Sequence, residues 1–106
     1  MTKPQIIDFA KIQGPVYTGR DRGELLRGNL KLDELDDSGD EIEVRIPETT
    51  YTISSSFFLG LFGPSVVKAG SKEAFFRHYK FQSPAFLKEV MDSYVARALQ
   101  TRNLFA

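Results

Sequence analysis

The segment TTYTISSSFFLGLFGPSVVKAG, residues 49–70, decides the fold of this chain. Its first five residues are β-branched or aromatic, which predicts a strand. The apolar residues from Phe57 onward recur at spacings of three and four, which predicts a helix that is buried on most sides. Between the two lie Ser54, Ser55 and Ser56, and serine is a preferred residue for capping a helix N-terminus. The segment therefore predicts a strand that runs through a serine joint into a buried helix.

Four further stretches have the pattern of strands. Apolar and charged residues alternate over 42–46, as in a half-buried strand. Shorter strands are predicted over 5–9, 16–17 and 79–82.

The stretches between the strands have helix or loop patterns. Asp21, with Glu24 three residues later, predicts a capped helix start. Gly28 and Asn29 weaken the middle of that helix, which predicts a break into two pieces. The acidic stretch 36–40 is predicted to be a loop. An apolar stripe over 86–99, preceded by a Ser-Pro pair, predicts the last helix.

Alternating strands and helices predict an α/β domain. We expect a small mixed β-sheet of about four strands flanked by helices. The 106 residues, of which 42% are apolar and 12% aromatic, fit a single domain over 1–106, with 1–13 as an N-terminal strand or arm.

The residue inventory excludes several kinds of chemistry. The chain has no cysteine, which excludes disulfides and thiolate catalysis. It has one histidine, His78, and when Gly39 is aligned with the glycine of a calcium-binding EF-hand loop, Arg45 falls where a glutamate ligand is required. No window matches a phosphate-binding loop. We therefore expect no metal and no cofactor.

Charge and hydropathy indicate where the protein works. The formal net charge is zero, so nothing predicts nucleic-acid binding. The longest apolar run is interrupted by Gly60, Gly63 and Pro64, which predicts no membrane span. The N-terminus lacks the apolar run of a signal peptide. These features predict a cytoplasmic protein.

The serine joint also invites comparison with a serine hydrolase. A strand, a serine and a helix in succession resemble a nucleophile elbow, but that turn needs glycine two residues to either side. Ser55 has Ile53 and Phe57 in those places, and the single available base is His78. We expect no enzyme, with a serine hydrolase as the remaining alternative.

A phosphate suits the same place. A helix N-terminus carries partial positive charge and free N–H groups, both of which stabilise a phosphoryl group. A phosphate on Ser55 or Ser56 would add negative charge beside Phe57 and Phe58, which we expect to be exposed, and would switch off an interface there. Ordinary capping without modification is the alternative.

Several motifs resemble one family. They are Gly19-Arg20-Asp21-Arg22-Gly23, Ser55-Ser56-Phe57 with Leu61-Phe62-Gly63, Gly70, Phe75-Phe76 and Phe81. With these motifs the chain resembles, over roughly residues 14–102, the STAS-like domains of unknown function found in bacteria and their mobile elements.

The resemblance implies a fold and a switch like those of the anti-sigma factor antagonists. In those proteins a kinase phosphorylates a serine between a strand and a helix, which breaks a complex with an ATP-binding kinase partner. The resemblance implies that Ser55 or Ser56 is the phosphoacceptor and that a kinase-like ATPase is the partner. The antagonists have an aspartate before the serines and a glycine after them, whereas this chain has Ile53 and Phe57.

The leading hypothesis is a non-enzymatic protein-interaction and regulatory module. Its candidate partner-binding residues are Ser54, Phe57, Phe58, Arg20, Asp21 and Arg22. One alternative is a small anion or nucleotide bound between the helix N-terminus and Arg20 or Arg22. Another is a phage or mobile-element effector that binds a host protein.

Overall fold

The computed structural model describes residues 5–12, 14 and 16–105, with side chains up to residue 100. The first four residues and residue 13 of the predicted N-terminal arm lie outside this range. The elements follow in the order β1 (Gln5–Asp8), a 3₁₀ turn (Phe9–Lys11), β2 (Val16–Tyr17), α1 (Arg20–Leu30), α2 (Leu32–Ser38), β3 (Ile42–Arg45), β4 (Thr52–Ile53), α3 (Ser55–Ala69), α4 (Lys72–His78), β5 (Tyr79–Gln82) and α5 (Ala85–Phe105).

The strands of the described residues form two parallel sheets. One has three strands in the order β1-β3-β5, and the other pairs β2 with β4. The α/β class is confirmed, but the expected single mixed sheet of about four strands is not what forms. Each pair of neighbouring strands is separated along the chain by at least one helix, and such long crossovers permit parallel pairing.

The central strand β3 follows its predicted alternation. Ile42 and Val44 are fully buried, whereas Glu43 is half-buried and Arg45 is exposed. The backbone N–H of Ile46 donates to the carbonyl of Gln82 at 2.8 Å, which extends the contact with β5 beyond the strand. The sheet therefore turns one apolar face to the helices.

Helix α3 lies in the core, as its apolar residues predicted. Phe57, Phe58, Leu61 and Val66 are at most 1% exposed. The ring of Phe62 lies 5.4–5.9 Å from three other aromatic rings, those of Phe75, Tyr79 and Phe81. Gly70 ends the helix in the left-handed conformation, as expected.

The backbones of α1 and α3 touch where the two helices cross. A Cβ on Gly23 would lie 2.3 Å from the carbonyl oxygen of Phe57, and one on Gly60 would lie 2.5 Å from that of Arg20. Neither position has room for a side chain. This close crossing places the start of α1 beside the N-terminal half of α3.

The predicted start of the first helix was wrong, whereas its division into two pieces is confirmed at a slightly later position. Helix α1 begins at Arg20 with Gly19 as its cap, at a φ of 92°, so Asp21 lies inside the first turn and forms no capping box with Glu24. The chain breaks at Lys31, with a φ of 56°, rather than at Gly28.

Two other predicted boundaries also moved. The first part of the acidic stretch, through Ser38, belongs to α2. There Asp36 accepts a hydrogen bond from Arg27 of α1, which holds this part in a helix. Strand β4 begins at Thr52 rather than at residue 49, because the N–H of Thr50 turns back to the carbonyl of Pro47. In the last helix the predicted apolar stripe faces the core: Leu87, Met91, Val95 and Ala98 are buried, and Val90, Tyr94 and Leu99 are half-buried, whereas Phe86 is 54% exposed.

Candidate functional site

The three serines of the joint have different roles. The Ser54 side chain accepts a hydrogen bond from the Phe57 N–H at 3.1 Å, so Ser54 is the N-cap of α3. Its own N–H donates to the carbonyl of Tyr17 at 2.8 Å, which ties the cap to β2. Ser55 and Ser56 are the first two residues of α3; Ser55 is half-buried and Ser56 is exposed.

The expectation that Phe57 and Phe58 are exposed was wrong. Phe57 is 0% exposed and packs on Phe9 and Tyr17, while Phe58 is 1% exposed and packs on Tyr94 among others. Because both rings belong to the core, they offer no surface to a partner in this conformation. The exposed surface around the serines therefore does not include these two rings.

The candidate arginines lie on different faces of α1. The Arg22 guanidinium lies over the rings of Tyr17 and Phe57, at 5.4 and 5.6 Å from their centroids, and donates to the carbonyl of Val16 at 3.0 Å. Arg20 is exposed and lines a groove along α3, and Asp21 is exposed between them. Two residues apart on a helix means a rotation of about 200°, so the two arginines do not converge on one anion.

A buried polar cluster connects α1, α2, α3 and β5, and the sequence reading missed it. We call it the Arg27 network. The Arg27 Nη1 donates to the Leu61 carbonyl and to Ser65 Oγ, both at 2.8 Å. Its Nη2 donates to Asp33 and Asp36, both at 2.7 Å. The signal was present in the sequence, because Arg27 lies four residues after Gly23 and therefore on the same helix face.

Each member of the Arg27 network is already engaged by another. The Asp36 side chain is 5% exposed, and it also accepts a hydrogen bond from the Tyr79 hydroxyl. Burial raises the pKa of Tyr79, and the hydrogen bond to Asp36 raises it further. Arg27 and Asp36 are buried, whereas the Asp33 side chain is 89% exposed. Loss of one partner of the buried pair would leave an uncompensated charge. The network therefore serves the architecture.

His78 lies far from the serine joint. Its Nε2 is 2.9 Å from the carbonyl oxygen of Leu35, and it lines a cleft of about 280 Å³ together with Ser65 and Tyr79. Ser65 lies about 15 Å along α3 from Ser55, at 1.5 Å per residue. The geometry therefore does not bring His78 to Ser55 or Ser56, as a hydrolase would need.

The described residues contain no group of three or more acidic or histidine side chains arranged to hold a metal ion. Among them no helix combines the length and the apolar character needed to cross a bilayer.

Comparisons with protein families, with curated proteins and with solved structures find no match to this chain. Its function is therefore inferred from its own residues and their geometry.

Proposed function

We propose that this chain is a non-enzymatic regulatory module that binds a protein partner through the surface around the N-terminus of α3. Phosphorylation of Ser55 or Ser56 switches that binding off. The observation that carries the proposal is the division of roles within the serine joint. Ser54 caps the helix, which leaves the neighbouring hydroxyls to another use.

Ser56 is the better acceptor for a kinase. It is exposed, whereas Ser55 is half-buried. A phosphate here would be stabilised by the partial positive charge at the start of the fifteen-residue helix. It would also add about 1.5 to 2 negative charges to the exposed start of the helix, which would repel a partner that binds there in the unmodified state.

The resemblance to STAS-like domains supports the same proposal. A strand, β4, leads through the serine joint into a buried helix, as in the anti-sigma factor antagonists. The partner would then be a kinase-like ATPase, and the protein would work in the bacterial cytoplasm. The alternative of an anion held by Arg20 and Arg22 draws no support from their positions, because the Arg22 guanidinium packs against Tyr17 and Phe57.

The test is a comparison of partners captured by three forms of the protein. The Ser55→Glu/Ser56→Glu variant mimics the phosphate, and the Ser55→Ala/Ser56→Ala variant is its matched control. We expect the wild type and the alanine control to retain a common partner that the glutamate variant loses. Thermal unfolding of all three checks that each is folded. Identical partner lists for all three would contradict the switch.

A further inference from the structure

A groove of about 440 Å³ runs along the outer face of α3. Its apolar lining consists of Leu59, Gly63, Pro64, Val67 and, from α5, Ala98. Val67 is 39% exposed and Pro64 is also exposed, so this face of a largely buried helix remains open. Leu59 is half-buried, and Gly63 and Ala98 are buried. An apolar groove with exposed residues of this kind marks an interaction surface.

The groove is open beside Gly63. Gly63 has no side chain, and a Cβ there would meet nothing closer than the Leu59 Cβ at 3.9 Å. The space beside α3 is therefore unfilled by the protein itself. A concave strip along a helix is suited to a second helix laid into it.

Both charged residues that line the groove are cations. The backbone of Arg20 lies against Gly60, near one end of the groove. Lys68 lies at the other end. Gly60 and Lys68 are separated by about 12 Å along the helix axis. The groove is therefore an apolar strip with a positive charge towards each end.

Lys68 is able to exchange its present partner. It forms an ion pair with Asp37, but the Lys68 side chain is 50% exposed and that of Asp37 is 68% exposed. An exposed pair of this kind contributes little to stability. A carboxylate brought by a partner can therefore replace Asp37.

We propose that this groove binds an amphipathic helix of a protein partner, with apolar residues flanked by two acidic residues seven or eight positions apart. About 12 Å corresponds to about eight residues of helix, and residues at that spacing share one face. The proposal rests on the role of the chain as an interaction module and adds a second surface and its ligand chemistry. A symmetric contact between two copies is disfavoured, because it would bring Arg20 and Lys68 of one copy towards the same cations of the other.

The ligand chemistry is tested with a displayed library of helical peptides of about 16 residues, long enough to hold a helix. The wild-type protein is the bait and the Val67→Glu variant is used for counter-selection. We expect the recovered peptides to carry Asp or Glu at the proposed spacing with apolar residues between them. Recovery of no peptides, or of peptides without that acidic spacing, would overturn the proposal.

A recovered peptide is then titrated against four proteins by fluorescence anisotropy. Val67→Glu should weaken binding at least about tenfold, because it places a charge in the apolar strip. Leu25→Glu is the matched control, since Leu25 is 67% exposed on α1 and does not line the groove, and it should leave the affinity unchanged. The Arg20→Glu/Lys68→Glu variant should prefer a twin peptide in which the two acidic residues are replaced by lysine.

Three further results would also overturn the proposal. They are equal affinity for the wild type and Val67→Glu, no reversal of charge preference in the double variant, and binding of anionic phospholipid vesicles that Val67→Glu abolishes. Thermal unfolding confirms that each variant is folded. The serine variants leave the groove intact. If the glutamate variant captures the same partners as the wild type while the groove still binds the peptide, the proposed switch is contradicted and the groove proposal is not.

Discussion

At the scale of single residues, the serine joint shows how three identical side chains take different roles. Ser54 has an extended backbone, with a φ of −74° and a ψ of 158°, which turns its hydroxyl towards the free N–H groups of α3. Ser55 and Ser56 are already residues of the helix, so neither has the extended backbone of a cap residue. The backbone conformation of each serine therefore decides its role.

Replacing the capping serine should cost stability, and replacing its neighbour should not. We expect Ser54→Ala to lower the free energy of unfolding by about 1 kcal/mol, because one helix N–H loses its acceptor. Ser56→Ala should cause no loss, since alanine is the better helix former. Urea denaturation of both variants measures the difference. Equal destabilisation would show that the cap is not Ser54 alone.

At the scale of elements, the crossing of α1 and α3 positions the candidate surfaces. Gly23 and Gly60 let the two backbones touch, which places Arg22 over Phe57 and Arg20 beside the groove. The same helix α1 carries a third glycine, Gly28, whose Cβ position has no atom within 4 Å. Gly23 and Gly60 therefore have no room for a side chain, whereas Gly28 has.

The same substitution should have opposite effects at these glycines. We expect Gly23→Ala and Gly60→Ala to destabilise the protein by about 1 to 3 kcal/mol or more, because a methyl group would force the helices apart. Gly28→Ala should stabilise it by up to about 1 kcal/mol, since it lies in the exposed part of a helix. Chemical denaturation of the three variants tests this. A gain in stability from Gly60→Ala would show that the helices do not touch.

At the scale of the whole molecule, the Arg27 network connects elements that are distant in sequence. Arg27 and Ser65 are 38 positions apart, and Tyr79 and Asp36 are 43 apart. The network therefore joins three helices to the sheet through β5. It also contains a tyrosine that titrates only at high pH, and this provides a way to observe it.

The stability of the folded protein should fall at alkaline pH, in part through Tyr79. Its pKa is raised above the model-compound value of 10.0, first by burial and then by the hydrogen bond to Asp36. The folded state therefore favours the neutral phenol. This contribution is complete below about pH 10 and is lost as the pH rises from there through the raised pKa.

The variant Tyr79→Phe isolates this effect. It should lower stability by about 1 to 2 kcal/mol at neutral pH, because Asp36 loses a donor, and should reduce the decline above about pH 10. Some decline should persist, since burial also raises the pKa of Tyr17. Denaturation curves at several pH values for both proteins test this. Parallel declines would show that Tyr79 does not contribute.

The accuracy of the predictions from sequence follows the range of the interactions involved. The buried helix, its Gly70 cap and the alternation around β3 were predicted well, because each depends on neighbours within one or two turns or a single strand. The start of α1 was missed because Gly19, rather than Asp21, forms the cap. The continuation of α2 into the acidic stretch was missed because Asp36 accepts a hydrogen bond from Arg27 on the neighbouring helix, a side-chain contact that periodicity does not report.

The sequence by itself determined that this is an α/β chain with a serine joint before an apolar helix, since periodicity and capping act locally. Only the tertiary structure decided that Ser54 is the capping serine and that Phe57 and Phe58 face the core. It also decided that the strands pair in parallel, that Arg20 and Arg22 diverge, and that a groove remains open along α3. The divergence of the arginines follows from helix rotation once both lie on α1. The burial of the two rings, the strand pairing and the groove depend on contacts between segments far apart in the chain, and local pattern carries no information about which distant segments will meet.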